Sequence, residues 1–290
     1  MKKDITSLFC FIDDFCQSID GCIKSHQIAE GNQKTQPTRT PGLMNSEIMT
    51  IMLLFQESHF KNFKYFYKFY MPLYRSEFPK MPSYERFVFL MSRPLYLFVI
   101  LLTCILRRDS KIAYIDSTPI TVCHIKREYS QRVFKGLAIK SRSTKGWFFG
   151  FKLHIMIDTK GNLMNVKMTK ANVDDRSPVL QMTADMTGFL FGDKGYICKE
   201  LFLELLARGL KLITGIKKNM KNMLMTINEK ILLRKRSLVE TVFDYLKNKF
   251  MIEHSRHRSI FNFIIHIVST LVAYQMKPTK PQISMKYTLT

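Results

Sequence analysis

The sequence predicts a mixed α/β sheet with helices packed on it, preceded by an all-helical N-terminal domain. Three observations carry that expectation. Apolar residues recur at three- and four-residue spacing up to about residue 108. From Lys111 the spacing shortens to two, most strictly over Trp147 to Ile157. The later elements then follow the order strand, hairpin, helix, strand, helix, strand, helix. The expected boundaries are 1–108 for the helical domain, 109–276 for the α/β domain and 277–290 for a loose tail.

In the helical part, Ile5, Leu8, Phe9, Ile12, Phe15, Cys16, Ile19 and Ile23 mark an amphipathic helix. The stretch from Ala29 to Gly42, with Pro37, Pro41, Gly31 and Gly42 among polar residues, reads as a linker. Asn45 offers an N-cap with Glu47 in the first turn, ahead of Ile48 to Phe55. Next, Phe63, Phe66, Tyr67 and Tyr70 make an apolar stripe, expected in the core, beside a second stripe of Lys61, Lys64 and Lys68. A solvated face explains those lysines as well as phosphate contacts do. Ser83 opens a helix through Phe87, Leu90 and Met91, and Pro94 opens the apolar run Leu95 to Leu106. That run has 12 residues; a membrane span needs about 20, so it is expected to be a core helix.

In the α/β part, Ile112, Tyr114 and Ile115 lead a strand into Asp116. Phe149, Phe151, Leu153, Ile155 and Ile157 share one face of the next strand, and Thr159-Lys160-Gly161-Asn162 turns it back into Leu163 to Met168. A helix is expected to begin around Asp174 or Asp175. The short strand Phe189 to Phe191 ends at Gly192-Asp193, a helix runs from Lys199 to Arg208 with Gly209 as its stop, and Leu212 to Thr214 makes another strand. After a Lys- and Met-rich segment, 216–233, a long helix starts near Arg236 and carries Glu240.

Charge narrows the partner. The chain has 45 Lys and Arg against 23 Asp and Glu, a formal +22 over 290 residues, where a small domain ordinarily carries a net magnitude of about 2–8. A polyanion, nucleic acid above all, is the expected partner. The six cysteines include no C-x-x-C pair and are too sparse for a disulfide scaffold, and His124 beside Cys123 lacks partners at zinc spacing. Asp13, Asp14 and Asp20 interrupt any apolar leader, so the expectation is a cytoplasmic protein without membrane contact.

Two acids end up where a sheet can hold them together, Asp116 at the end of one strand and Asp193 directly after another. A glutamate on a helix packed beside them, Glu240, completes a set of three carboxylates. Such a set suits hard cations, and two of them about 3.5–4 Å apart stabilise both the attacking and the leaving oxygen of an in-line displacement. Asp158, Asp174 and Asp175 compete for the second position, although a hairpin turn explains the first and helix capping the other two. Glu200, Glu204, Glu229 and Asp244 compete for the third. His154 points away from the Phe151 face and reads as a structural histidine. Between the first two strands, Lys126, Arg127, Arg132, Lys135, Lys140, Arg142 and Lys145 face one acid, Glu128. That segment reads as a phosphate-tracking loop, with a solvated disordered loop as the alternative. The cluster His254-Ser255-Arg256-His257-Arg258 follows the Glu240 helix and is expected to contact DNA or carboxylates.

Four segments carry a family resemblance: Tyr114-Ile115-Asp116-Ser117-Thr118-Pro119, Gly146 to His154, Gly192-Asp193-Lys194-Gly195-Tyr196, and Arg236 to Lys247. Together they resemble the DDE transposases of bacterial insertion sequences, nearest the insertion-sequence 982 family. The sharpest element is Arg236-x₃-Glu240-x₆-Lys247, which matches three positions of the Tyr-x₂-Arg-x₃-Glu-x₆-Lys signature; Leu233 stands at the Tyr position. The resemblance implies an RNase H-like catalytic core. In it Asp116, Asp193 and Glu240 hold two Mg²⁺ ions, with Mn²⁺ as a substitute, while Arg236 and Lys247 approach DNA. Spacing alone also allows these two bases to pair with Glu240 or Asp244 within the helix. The implied partners are double-stranded DNA, at inverted-repeat ends that the helical domain, 1–108, is expected to recognise and at the target, and a second copy in a synaptic dimer, associated with the nucleoid. The implied reaction cuts strands at the element ends and transfers the 3′ ends. The alternatives are a catalytically inactive, basic DNA-binding repressor and an RNase H-like nuclease without strand transfer.

Overall fold

The apolar stripe from Leu8 to Ile23 lies on one helix, α1 (Thr6–Ala29), whose Ile12 and Cys16 are buried, and Ile5, also buried, directly precedes it. The computed structural model describes residues 4–29, 41–58, 60–144, 146–216, 225–253 and 257–283; most of the expected linker lies outside them. Helix α2 (Asn45–Glu57) starts one residue earlier than expected of an Asn45 cap. Met44 is the cap residue, and Glu47 accepts a hydrogen bond from its amide at 2.6 Å. Asn45 is already helical, and its Oδ1 accepts from Arg93 Nε at 2.7 Å, so its side chain is not free to cap. Helix α3 (Phe63–Tyr65) continues into a π-helical turn, Phe66–Tyr70, and a 3-10 turn, Met71–Tyr74. Phe66 and Tyr67 are buried, as expected of that stripe, and Lys61, Lys64 and Lys68 are exposed. Ser83 caps α4 (Tyr84–Leu90) by accepting from the Arg86 amide. Helix α5 (Leu95–Ile105) buries Leu97, Phe98, Leu101 and Leu102. No single helix among the described residues is long and apolar enough to cross a membrane.

The sheet comprises β1 (Ile112–Cys123), β2 (Ile139–Ser143), β3 (Gly146–Ile157), β4 (Leu163–Lys170), β5 (Gly188–Gly192) and β6 (Leu210–Thr214). Its order is β2-β3-β1-β5-β6, with β4 also on β3. The outer edge of β3 is shared: β2 pairs with its beginning and β4 with its end, both antiparallel. On the other side β1 is antiparallel to β3, and β5 and β6 follow in parallel. Strand β2 occupies part of the segment expected to be a loop, and Phe134, fully buried and 6.1 Å from the Phe151 ring, anchors the rest. The solvated, disordered alternative does not hold there. Strands β1 and β3 approach so closely at Gly150 that a Cβ would lie 2.0 Å from the Ile120 carbonyl oxygen. Only glycine permits that contact.

Helices α6 (Val179–Met182), α7 (Lys199–Ala207), α8 (Ile227–Arg234), α9 (Ser237–Asn248) and α10 (Ile260–Met276) complete the chain. One sheet face presents Ala113, Ile115, Met156, Leu190 and Leu212 to Val179 and Met182 of α6 and Leu201 and Leu205 of α7, all buried. Each such side chain contributes about 1.5–3 kcal/mol relative to exposure. Two expectations are corrected. Helix α6 begins at Val179, not at Asp174 or Asp175, because Asp174 folds back on Arg176 and Pro178 precedes the first turn. Helix α8 falls within the Lys- and Met-rich segment, opened by a capping box in which Thr226 accepts from the Glu229 amide and Glu229 from the Thr226 amide.

Packing divides the chain into two units, Met1–Ile105 with His257–Met276 and Leu106–Arg256 with Lys277–Thr290. Helix α10 therefore belongs with the N-terminal helices and not with the sheet, where the expected 109–276 boundary had put it. The reason is its apolarity on nearly every side, from Phe263 to Tyr274, which α2 and α5 cover. Gln275 Nε2 donates to Ile105 O at 3.0 Å, and Gln56 Nε2 to Ser269 Oγ at 3.1 Å.

Candidate active site

Strands β1 and β5 pair in parallel at Ile112↔Phe189, Ala113↔Leu190 and Tyr114↔Phe191, and the Tyr114 and Phe191 rings stack at 5.4 Å. Two residues further along the chain stand Asp116, still on β1, and Asp193, extended and just past the end of β5. Because side chains of extended backbone alternate, both have the parity of the face that Tyr114 and Phe191 share. Asp116 is not at the strand end as expected: β1 runs on to Cys123, paired with β3 throughout. What ends there is β5, at Gly192, so Asp193 follows the strand directly. Helix α9 packs against β1 and carries Glu240 in its first turn.

One guanidinium joins the three acids. Arg236 Nη1 lies 3.5 Å from Asp116 Oδ2, and its Nη2 lies 3.8 Å from Asp193 Oδ1 and 3.0 Å from Glu240 Oε1. Burial pushes the Asp116 carboxyl up to about 6, and the Asp193 and Glu240 charges push the same way; the Ser117 amide (2.8 Å) and Arg236 oppose it. The side chains of Asp193 and Glu240 are 55% and 58% exposed, against 23% for Asp116. The cluster thus opens to solvent on one side. Its donors are all oxygen, which suits hard divalent cations, and they already hold one organic cation. Among the described residues no three acidic, histidine or cysteine side chains are grouped closely enough to ligate one ion.

The competing carboxylates are engaged elsewhere. Asp158 accepts from the Lys160 and Asn162 amides in its hairpin turn. Glu229 holds Lys211 at 2.5 Å, Glu204 holds Arg208 at 2.5 Å, Glu200 accepts from Cys198, and Asp244 accepts from Asn248. Asp175 is the exception. It caps no helix; its Oδ1 accepts from Ser117 Oγ at 2.9 Å and Lys152 Nζ at 3.0 Å, beside Asp116 in sequence.

Sequence reasoning also passed over Tyr196, on a 3-10 turn, Lys194–Tyr196. Its ring packs on Gly192, where a Cβ would come within 3.1 Å of it, and its hydroxyl is buried with no hydrogen-bond partner among the described residues. Burial, and then the charges of Asp116, Asp175 and Asp193, raise the phenol far above its ordinary range. No spacing rule reveals such a group. His154 is buried, as expected of a structural residue, with Nε2 2.8 Å from Thr169 Oγ1; burial holds it down at about 4.

Of the basic residues expected to meet DNA, Lys126, Arg127, Arg132, Lys135, Lys140 and Arg142 are exposed. Lys140 and Arg142 alternate outward on β2; Lys140 pairs with Glu128 at 3.1 Å and lies 5.5 Å from the Trp147 ring centre. Arg236 and Lys247 are occupied within the protein: Lys247 Nζ donates to Pro119 O and to Glu253 Oε1, both at 3.0 Å. Arg258 is exposed on the helical unit. Lys145, His254, Ser255 and Arg256 lie outside the described residues. His124 serves its own turn, accepting from the Lys126 amide.

A family model described as a transposase DDE domain matches residues 107–260. No curated protein and no solved structure matches the chain.

Proposed function

Because the chain belongs to the transposase DDE domain family, whose model spans more than half of it, we propose that it cuts and rejoins DNA phosphodiester bonds at a site built from Asp116, Asp193 and Glu240. One observation carries this reading: acids from β1, from the end of β5 and from α9 converge on a single guanidinium. The cations in question are Mg²⁺, two per site, with Mn²⁺ as a substitute; when bound they supply charge stabilisation to the attacking and leaving oxygens.

The remaining work falls to the chain. Asp116, partly buried and fixed by the Ser117 amide, is the inner carboxylate; Asp193 and Glu240 are the outer, solvent-facing ones. Arg236 stands in for the cations and has to swing out before they are held, after which its planar fork suits a DNA phosphate. The exposed bases from Lys126 to Arg142, with Lys145, Arg256 and Arg258, follow the DNA backbone. The helical unit reads the inverted-repeat ends, a dimer brings two ends together, and the 3′ hydroxyl freed by hydrolysis attacks the target. The motif Arg236-x₃-Glu240-x₆-Lys247 supports a place near the insertion-sequence 982 family. The order of the sheet, antiparallel on one side of β1 and parallel on the other, supports an RNase H-like core.

The test is Glu240→Gln assayed on duplexes carrying the element's own ends. Mg²⁺-dependent cleavage falls by about a thousandfold or more, while end binding stays within about threefold, since only one acid has been neutralised. Undiminished cleavage overturns the assignment. The fully paired Arg236 favours a second reading, a DNA-binding repressor whose carboxylates are structural; wild-type protein that binds ends yet breaks no strand with Mg²⁺ or Mn²⁺ selects it.

A further inference from the structure

The helical unit exposes a surface of aromatic and basic side chains over residues 61–69. Tyr65 and Phe69 are stacked, their ring centres 5.8 Å apart and their planes 20° from parallel, yet they are 59% and 68% exposed. They belong to the segment whose other side is the buried stripe of Phe66 and Tyr67, so the protein's own core does not claim them. Exposed Lys64 and Lys68 lie next to them in the chain, with exposed Lys61 just before the helix. No acidic residue occurs from Ser58 to Ser76. The helix changes there from α to π over Phe66–Tyr70, a rare arrangement frequent at functional sites.

We propose that this face, Lys61, Lys64, Tyr65, Lys68 and Phe69, is a DNA-docking surface on which the lysines meet phosphates and the stacked pair packs against a base. The proposal rests on the reading that this protein works on DNA. Three cations in a stretch with no acid from Ser58 to Ser76 complement a polyanion, and a helical stretch of this length extends about 10 Å, the reach of roughly three phosphates along a strand. Aromatic rings interleaved with cations suit stacking on an exposed base. A helix lying in a lipid surface separates its apolar face from its charges; here rings and lysines share one side while the other is packed in protein. A protein partner's acidic patch would satisfy the lysines but has no need of a stacked pair.

Binding of the full chain to a 30-base-pair duplex and to a 30-nucleotide single strand, by fluorescence anisotropy across a salt series, tests this. Tyr65→Ala with Phe69→Ala is expected to weaken binding at least about tenfold with the slope of log affinity against log salt unchanged. Lys61→Gln with Lys64→Gln and Lys68→Gln is expected to flatten that slope by about three, one per lysine. A loss confined to one probe identifies whether the base is taken from a duplex or a single strand. Circular dichroism and the thermal midpoint should be unchanged, because these side chains project into solvent; Tyr65→Phe, which keeps the ring, should bind as wild type. Wild-type affinity and slope in both sets of variants overturn the proposal while leaving DNA binding itself intact. Wild-type protein that binds neither probe removes the functional reading and this one with it. Ring substitutions that alter only sedimentation mass, or only binding to anionic vesicles, also overturn it, in favour of a contact between copies or with lipid.

Discussion

Arg236 Nη1 lies 3.5 Å from Asp116 Oδ2, a contact between the residue that opens α9 and one in the middle of β1. It places a positive charge where three carboxylates would otherwise repel one another. Arg236→Gln should therefore lower stability in chelator by about 1–2 kcal/mol, less than for a fully buried pair because the cluster is open to water. Added Mg²⁺ should raise the thermal midpoint of the variant more than that of the wild type. Equal shifts would show that Arg236 and the divalent ions do not share a place.

Tyr196→Phe removes a buried hydroxyl that lacks a partner. Such a group costs about 1–3 kcal/mol when left unsatisfied, so the variant should unfold at higher urea concentration. If the hydroxyl serves the neighbouring acids, cleavage should slow at the same time. A destabilised variant would mean that the hydroxyl is bonded in solution.

His154 ties stability to pH. Its folded value, about 4, lies below the ordinary 6.5, so the unfolded chain binds the proton more readily. The contribution is complete above pH 6.5 and is lost as pH falls from there toward 4, by roughly 3 kcal/mol in all. Urea titrations at pH 7.5 and 4.5 should show a smaller difference for His154→Gln than for wild type; parallel differences refute the assignment.

Gly150→Ala should be among the most damaging single changes in the sheet. Its Cβ would lie 2.0 Å from the Ile120 carbonyl oxygen, and β1 and β3 would have to separate along the register that carries Asp116. A loss above about 4 kcal/mol, or failure to recover folded protein, is expected. Near-normal stability would mean that the two strands part here at little cost.

Much of the chain was legible residue by residue where the signal is local. Ser83 caps α4, Gly209 follows α7, and Asp158 closes the β3–β4 turn, because capping and turn chemistry involve neighbours only a few residues apart. Asn45 and Asp175 misled for the complementary reason. Each has the right composition for a cap, but Arg93 takes the first and Ser117 with Lys152 the second, and those partners are distant in sequence. Helix α8 was missed although its signal, Thr226 followed by Glu229, is local; the surrounding lysines and methionines masked it.

By itself the sequence determined that a strongly basic, two-part chain changes from helical to strand periodicity near residue 110, and that Asp116, Asp193 and Glu240 sit on elements able to converge. Periodicity and charge are properties of the chain and need no partner to be read. Only the tertiary structure decided that α10 returns to the N-terminal helices, that Arg236 lies among the three acids, and that Tyr65 and Phe69 stay in solvent. Those outcomes depend on which surfaces meet, and burial is settled by the whole competition among apolar faces.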